Sequence, residues 1–329
     1  MKETIAVLGG TGFIGTATVK KLKEAGFAVS VMARNIDDLP ALFKDEDVTL
    51  CCGDVQHAAD VYTAITGATC VVNLAYGGSG SNWEEVYERM VGGAEVVARA
   101  CLEIGIPLIH VSSIAALYLG KQSAPITGAT PTDMHADRRP YARGKALSEK
   151  RLQQMQHENG LHLCILRPGL VVGAGTSPLH PAVGLCSNGQ DCIGWNAGRN
   201  PLPFVLVDDV AGAIVLACTH PTDGKTYNLV GDMRPSAREY FAQLSQILRK
   251  PLYFRATNPY ALYLTRLMKW SLRRLIGRPA TAPSLRDLLS LGLNARFDCS
   301  DIKSDLGWHP VADPGVFYHK AFESADQIL

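Results

Sequence analysis

The sequence predicts an α/β protein, a doubly wound parallel sheet accompanied by a smaller, mostly C-terminal lobe. Three observations predict it. Short apolar, β-branched runs recur at 4–8, 28–32, 48–51, 70–74, 108–111 and 163–166, with the length and composition of strands covered on both faces. Between them, stretches such as 14–25 and 83–103 carry the length and apolar spacing of helices. The first strand also runs into a glycine turn, Gly9-Gly10-Thr11-Gly12-Phe13-Ile14-Gly15, which opens the first helix in the order of a βα unit that receives an anion at a helix N-terminus.

The chain of 329 residues, 47% hydrophobic and 19% charged, can bury a full core and has the size of one large or two small domains. A formal net charge of +1 provides no global field for nucleic acid, so any electrostatic function is local. The nine cysteines include no C-x-x-C, which points away from a disulfide framework or structural zinc and toward a reducing cytoplasm. The N-terminus runs straight into a strand with no leader-like pattern, and no apolar run has the length of a membrane span.

The division expected is a nucleotide-binding part at 1–170, its sheet completed by about 201–230, and a substrate lobe from 171–200 and 231–329. After Arg167-Pro168-Gly169 the alternation breaks into glycine- and proline-rich loops over 173–203, followed by a strand and helix at 204–218. A basic helix is expected at 260–276, and a last helix after Pro314.

At the nucleotide end, Gly9, Gly12 and Gly15 suit the tight turn, the close approach to a pyrophosphate and the helix–strand packing. The second strand ends Met32-Ala33-Arg34-Asn35, without the acidic residue that would accept from ribose hydroxyls. A carboxylate there would repel a 2′-phosphate, whereas Arg34 can pair with one, so NADP(H) is expected over NAD(H). A solvated surface arginine is the plainer alternative. Asp54, after the third strand, either accepts from an adenine amino group or caps its own turn.

Tyr141-Ala142-Arg143-Gly144-Lys145 puts a phenol and an ammonium on one helix face, one turn apart. A lysine cation at that distance is expected to favour the phenolate and lower a pKa that is ordinarily about 10. The spacing alone also fits a surface helix pair. Ser112-Ser113 follows the fifth strand, at the edge where open α/β sheets bind ligands. Strand alternation favours Ser113 as the hydroxyl that meets the reacting oxygen, with Ser112 as the fallback.

Taken in order, Gly9-x-x-Gly12-x-x-Gly15, Asp54, Asn73-Leu74-Ala75, Ser112-Ser113, Tyr141-x-x-x-Lys145, Arg167-Pro168-Gly169, Val207-Asp208-Asp209-Val210-Ala211 and Leu306-Gly307-Trp308-His309-Pro310 resemble the extended short-chain dehydrogenase/reductases nearly end to end. The resemblance implies a Rossmann fold and a Ser113-Tyr141-Lys145 triad. It implies cofactor contacts from Gly9, Thr11, Gly12, Phe13, Ile14, Gly15, Arg34, Asp54, Val55, Leu74, Ala75, Tyr76, Ser112, Tyr141, Lys145, Pro168, Gly169 and Val171. It also implies a structural role for Asp208 and Asp209. Met90 stands where many members carry Asn. Leu170 and Leu202 stand where members acting on nucleotide sugars carry Asn and Arg. An apolar pair cannot hold a uracil edge or a diphosphate, although Arg199 lies close enough to compensate. The chain is thus more similar to the branch of 3β-hydroxysteroid dehydrogenases and dihydroflavonol reductases.

Gly78, in the glycine-rich run after Tyr76, and Trp195 and Arg199, with His180 and Asn196 nearby, are candidate substrate contacts beside Ser113 and Tyr141. The 260–278 stretch, with five cations and no acid, is either a lid helix with a solvated basic face or a weak membrane-surface contact. The function expected is NADP(H)-dependent reduction of a ketone or aldehyde, or the reverse oxidation of a secondary alcohol. An NDP-sugar epimerase or dehydratase and a non-catalytic NADP(H) sensor are the rivals. The partner expected is a small molecule, with no nucleic acid, no metal and pairing of two copies through the long helices at 83–103 and 142–158.

Overall fold

The computed structural model describes residues 2–76, 82–180, 182–187, 190–278 and 282–324, with the backbone alone for 185–187. Among these residues, strands β1 (Thr4–Leu8), β2 (Ala28–Ala33), β3 (Val48–Cys52), β4 (Cys70–Asn73), β5 (Leu108–Val111) and β6 (Leu163–Pro168) follow the predicted runs, three of them extended by one or two residues and β4 shorter by one. Two further pairs come next, β7 (Leu170–Val172) with β10 (Phe204–Leu206), and β8 (Gly184–Ser187) with β9 (Asp191–Trp195); β11 (Thr226–Leu229) and β12 (Tyr253–Thr257) complete the set. Seven strands form one parallel sheet in the order β11-β6-β5-β4-β1-β2-β3. The order reverses between β1 and β4, so the crevice beyond their C-terminal ends is the ligand position of a doubly wound sheet.

The sheet is apolar on both faces because both are covered. The helices Phe13–Glu24 and Val207–Thr219 pack together on one side through residues such as Val19, Leu22, Val210 and Ile214. The helices Ala58–Ile65, Gly93–Ile104 and Pro140–Asn159 cover the other, contributing Val61, Val97 and Leu152. Asp208 and Asp209 anchor the C-terminal segment here. The Trp308 indole donates to the Asp209 carbonyl at 2.9 Å, Val311 N donates to the Asp209 carboxylate at 3.1 Å, and Lys320 pairs with Asp208.

Two expectations need correction. The stretch read as one helix over 83–103 is a helix at Trp83–Val86, a π-helical turn at Tyr87–Gly92 and a second helix at Gly93–Ile104. The wider turn lies where Val86 and Met90 press against Gly144 of the facing helix; a Cβ on Gly144 would stand 2.7 Å from Val86 and 2.9 Å from the Met90 sulfur. Such wide turns recur beside functional sites. The irregular segment 173–203 contains β8 and β9, an antiparallel pair that β12 joins in parallel register. Its short, glycine-interrupted strands have no alternation of their own, and their third partner is about 60 residues away in sequence, beyond the reach of a local pattern. Cys192 is disulfide-bonded, a bond that a count of scattered cysteines did not disclose.

Candidate active site

A cleft of about 550 Å³ opens along the crevice. The glycine turn forms its floor. Gly9 has φ +81°, and a Cβ there would stand 2.9 Å from Ala75 N, while a Cβ on Gly15 would stand 2.4 Å from the Gly9 carbonyl oxygen. Only glycine lets the turn fold this tightly against β4 and the helix start. No side chain caps the helix Phe13–Glu24 at Gly12, and the first-turn N–H groups of a helix have no partner within it. Phe13, Ile14 and Gly15 line the cleft, so an anion laid along it meets free donors at the positive end of a helix dipole.

At the β2 end the lining is Met32, Ala33, Arg34, Gly53, Asp54, Val55 and Gln56. Arg34 is exposed and pairs with no carboxylate among the described residues. Asp54 uses Oδ1 to accept from Gln56 N at 3.0 Å, closing its own turn. The other end is lined by Leu74, Ala75, Tyr76, Arg89, Val111, Ser112, Tyr141 and Lys145. A channel with backbone donors in the middle, a free guanidinium at one end and titratable side chains at the other fits an extended nicotinamide dinucleotide.

Tyr141 stands in the first turn of the helix Pro140–Asn159, whose start is preset by Pro140. Its phenol hydrogen-bonds Ser113, and its ring meets Tyr76 edge-on at 6.0 Å. Ser113 caps the short turn Ile114–Ala116, accepting from Ala115 N at 3.1 Å. Ser112 lines the cleft, but its hydroxyl donates to Glu149. Ser113 is outside the cleft lining, but it is the one of the two hydroxyls that hydrogen-bonds the Tyr141 phenol. Lys145 is buried, donates to the Val111 carbonyl at 3.1 Å and lies 5.9 Å from the Tyr76 ring.

The electrostatics differ from the sequence expectation. Burial pushes the Tyr141 phenol above its ordinary value, against the opposing Ser113 hydrogen bond. Burial also pushes Lys145 down to about 8, against the attraction of Glu149. Lys145 is nearly sealed from water, and on each side chain desolvation outweighs the group that opposes it, Ser113 on the phenol and Glu149 on the ammonium. Because the folded value of Lys145 lies below its ordinary 10.5, the unfolded chain binds more protons between about pH 8 and 10.5, and this group adds to stability as pH rises through that window. For activity the sign is opposite, since the cation is present below about pH 8 and lost above it. The expected pH profile of kcat/KM has an alkaline limb near pH 8, and a flat profile to pH 10 would remove Lys145 as an essential cation.

Behind Ser112 and Lys145 lies an ion pair absent from the sequence reading. Arg167 meets Glu149 through Nε at 3.0 and 3.1 Å and Nη2 at 2.7 Å, and donates to the carbonyls of Gly128 and Thr130. Both side chains are almost fully buried. The Lys145-x-x-x-Glu149 spacing on one helix face was the available signal. Beneath Lys145, burial first and the Lys145 charge second push the His110 imidazole down to about 3, and neither of its ring nitrogens has a partner. Arg89 reaches the cleft from the π-helical turn, beside the noted Met90, which is buried packing.

Pro168, Gly169 and Val171 do not line the cleft. Gly169 donates to Leu229, and Val171 pairs with Val205. Trp195 and Arg199 also lie outside its lining; the Trp195 indole N–H is buried without a partner, and Arg199 is exposed. Gly78 lies outside the described residues. His180 accepts from Ala182 N, and Asn196 donates to the Gly292 carbonyl.

A parallel sheet with a reversed strand order, a glycine floor and a Tyr–Lys pair at the cleft end defines a nicotinamide-dinucleotide enzyme of the Rossmann type. The profile of the NAD dependent epimerase/dehydratase family matches residues 5–230. The chain belongs to that family and is an extended short-chain dehydrogenase/reductase. It is 28% identical to short-chain dehydrogenase/reductase family 42E member 1 of Mus musculus, over 94% of this chain and 84% of that one. It is 24% identical to UDP-glucose 4-epimerase of Vibrio cholerae, over 94% and 92%. The crystal structure of gox2253 superposes with a TM-score of 0.82 at 24% identity, covering 99% of this chain and 98% of that one. No helix among the described residues is long and apolar enough to cross a membrane.

Proposed function

We propose that this enzyme is an NADP(H)-dependent reductase of a ketone or aldehyde, running in reverse as a secondary-alcohol dehydrogenase. The observation that carries the reading is that Tyr141, hydrogen-bonded to Ser113, and Lys145 line one end of a cleft whose other end holds Arg34, which pairs with no carboxylate among the described residues. Gly9, Gly12, Phe13, Ile14 and Gly15 would hold the dinucleotide phosphates, Arg34 a 2′-phosphate, and Lys145 the nicotinamide ribose. When bound, the cofactor supplies the hydride. Ser113 and Tyr141 donate hydrogen bonds to the substrate oxygen, and Tyr141 gives it a proton as the carbon–oxygen double bond becomes single. The raised phenol value suits this direction, because Tyr141 then carries its proton at neutral pH. Lys145 stabilises the phenolate left behind until solvent reprotonates it.

The second reading, an epimerase or dehydratase acting on a nucleotide sugar, is favoured by the similarity to UDP-glucose 4-epimerase. Leu170 and Leu202, both buried, weigh against it, because they offer a diphosphate no donor. The deciding experiment titrates the protein with NADPH and NADH, following nicotinamide fluorescence, then adds a panel of carbonyl compounds. Net oxidation of NADPH supports the reductase. Tightly retained cofactor without net consumption, and turnover of nucleotide sugars, supports the epimerase. Arg34→Ala is expected to weaken NADPH binding at least tenfold, from the loss of a charge-assisted pair worth about 1.5–3 kcal/mol, and to leave NADH binding nearly unchanged. Equal losses for both nucleotides would remove the NADP assignment.

A further inference from the structure

Two short charged segments, distant in sequence, meet beside the Ser113 turn. One runs from Asp133 through Arg138 and Arg139 to Pro140, immediately before Tyr141. The other is Arg286-Asp287, in the short helix Leu285–Ser290, beside which the helix Pro259–Leu275 packs. Arg138 joins them. It is 5% exposed and donates through Nε to Asp287 at 3.2 Å and through Nη1 to Asp133 at 2.9 Å. Its remaining contacts are to backbone, from Nη1 to the Leu117 carbonyl at 3.1 Å and from Nη2 to the Ala115 carbonyl at 3.0 Å. Arg139 also meets Asp287, at 2.7 Å, and Arg286 meets Asp133, at 2.9 Å. Ala115 is the residue whose N–H Ser113 accepts, and Tyr141 stands three residues after Arg138. The Ser113–Tyr141 hydrogen bond therefore spans two segments that one planar guanidinium fork holds together. Buried ion pairs add little net stability over apolar packing. What a fork with fixed donor directions supplies is relative orientation.

We propose that Arg138, held by Asp287, is a positioning residue that sets the Ser113–Tyr141 hydrogen bond and makes it depend on docking of the C-terminal segment at 284–290. This rests on the roles proposed above for Ser113 and Tyr141. Displacing reacting groups by about 1 Å costs about 10²-fold in rate. Arg138→Met removes the fork yet leaves each acid a cation, Arg286 on Asp133 and Arg139 on Asp287, so no buried carboxylate is stranded.

The test is a double-mutant cycle on kcat, using the turnover that the nucleotide titration establishes, carbonyl reduction or sugar conversion. Arg138→Met alone is expected to lower kcat about 10²-fold, with nicotinamide-nucleotide affinity within about threefold. In the Tyr141→Phe protein the same change should cost less than about tenfold, because residues that act as a unit are not additive. Asp287→Asn, which keeps the acceptor's shape, should lower kcat about tenfold with the same non-additivity, and it carries the test if Arg138→Met does not fold. A kcat within about threefold of the parent for either folded variant overturns the proposal. So does an equal factor in both backgrounds, which is what a general loss of stability produces. An unchanged rate for Tyr141→Phe by itself overturns the triad reading, and this positioning role with it.

Discussion

Tyr141→Phe is expected to lower kcat by about 10²–10⁴-fold, the range contributed by a positioned proton donor, while leaving nicotinamide-nucleotide affinity within a factor of about three. The substitution removes only the oxygen. The ring keeps its edge contact with Tyr76 and its place in the first helical turn, so the cleft retains its shape. Steady-state kinetics beside a fluorescence titration separate the two effects. An unchanged rate would sink the assignment of Tyr141 as proton donor. A parallel loss of nucleotide affinity would instead make the hydroxyl a binding group.

Glu149→Gln carries the largest expected cost to the fold. Arg167 would keep its carbonyl contacts but lose the only counter-charge it has among the described residues, in a site nearly sealed from water. Breaking a buried pair from one side costs about 3–5 kcal/mol, measurable by chemical denaturation. Replacing both partners, Glu149→Leu with Arg167→Met, should recover much of that loss, because no uncompensated charge remains. The single variant has a second signature. Glu149 is the group that raises Lys145 against burial, so without it the ammonium loses its proton at lower pH and the alkaline limb of kcat/KM moves down from about 8. The charges around Lys145 are few: Glu149 on its own helix, Arg167 behind it on β6, and on β5 the neutral His110. A stability loss below about 1 kcal/mol would show that the pair does not hold this region together.

The glycine turn and the Tyr–Lys pair were legible because their chemistry is local. Gly9 and Gly15 sit six residues apart in one βα turn, and Tyr141 and Lys145 are neighbours through helical geometry alone. The electrostatic balance was not legible. One helical turn of separation says that a lysine faces a tyrosine, but the direction of each pKa depends on how much protein surrounds them, which is a property of the packed cleft. Arg89 escaped notice because a regular helix through 83–103 would have aimed it elsewhere.

By itself the sequence determined the parallel sheet, its strand starts, the phosphate-type turn and the family. These rest on short-range periodicity and on residue types demanded by backbone geometry. Only the tertiary structure decided that Ser113 meets Tyr141 while Ser112 serves Glu149, that Arg167 is sealed against Glu149, and that β12 completes the β8–β9 pair. It also decided that the outer face of the helix Pro259–Leu275 is left apolar and uncovered. Each of these depends on which segments distant in the chain share a surface, and hydrophobic burial and hydrogen-bond pairing settle that over the whole fold at once.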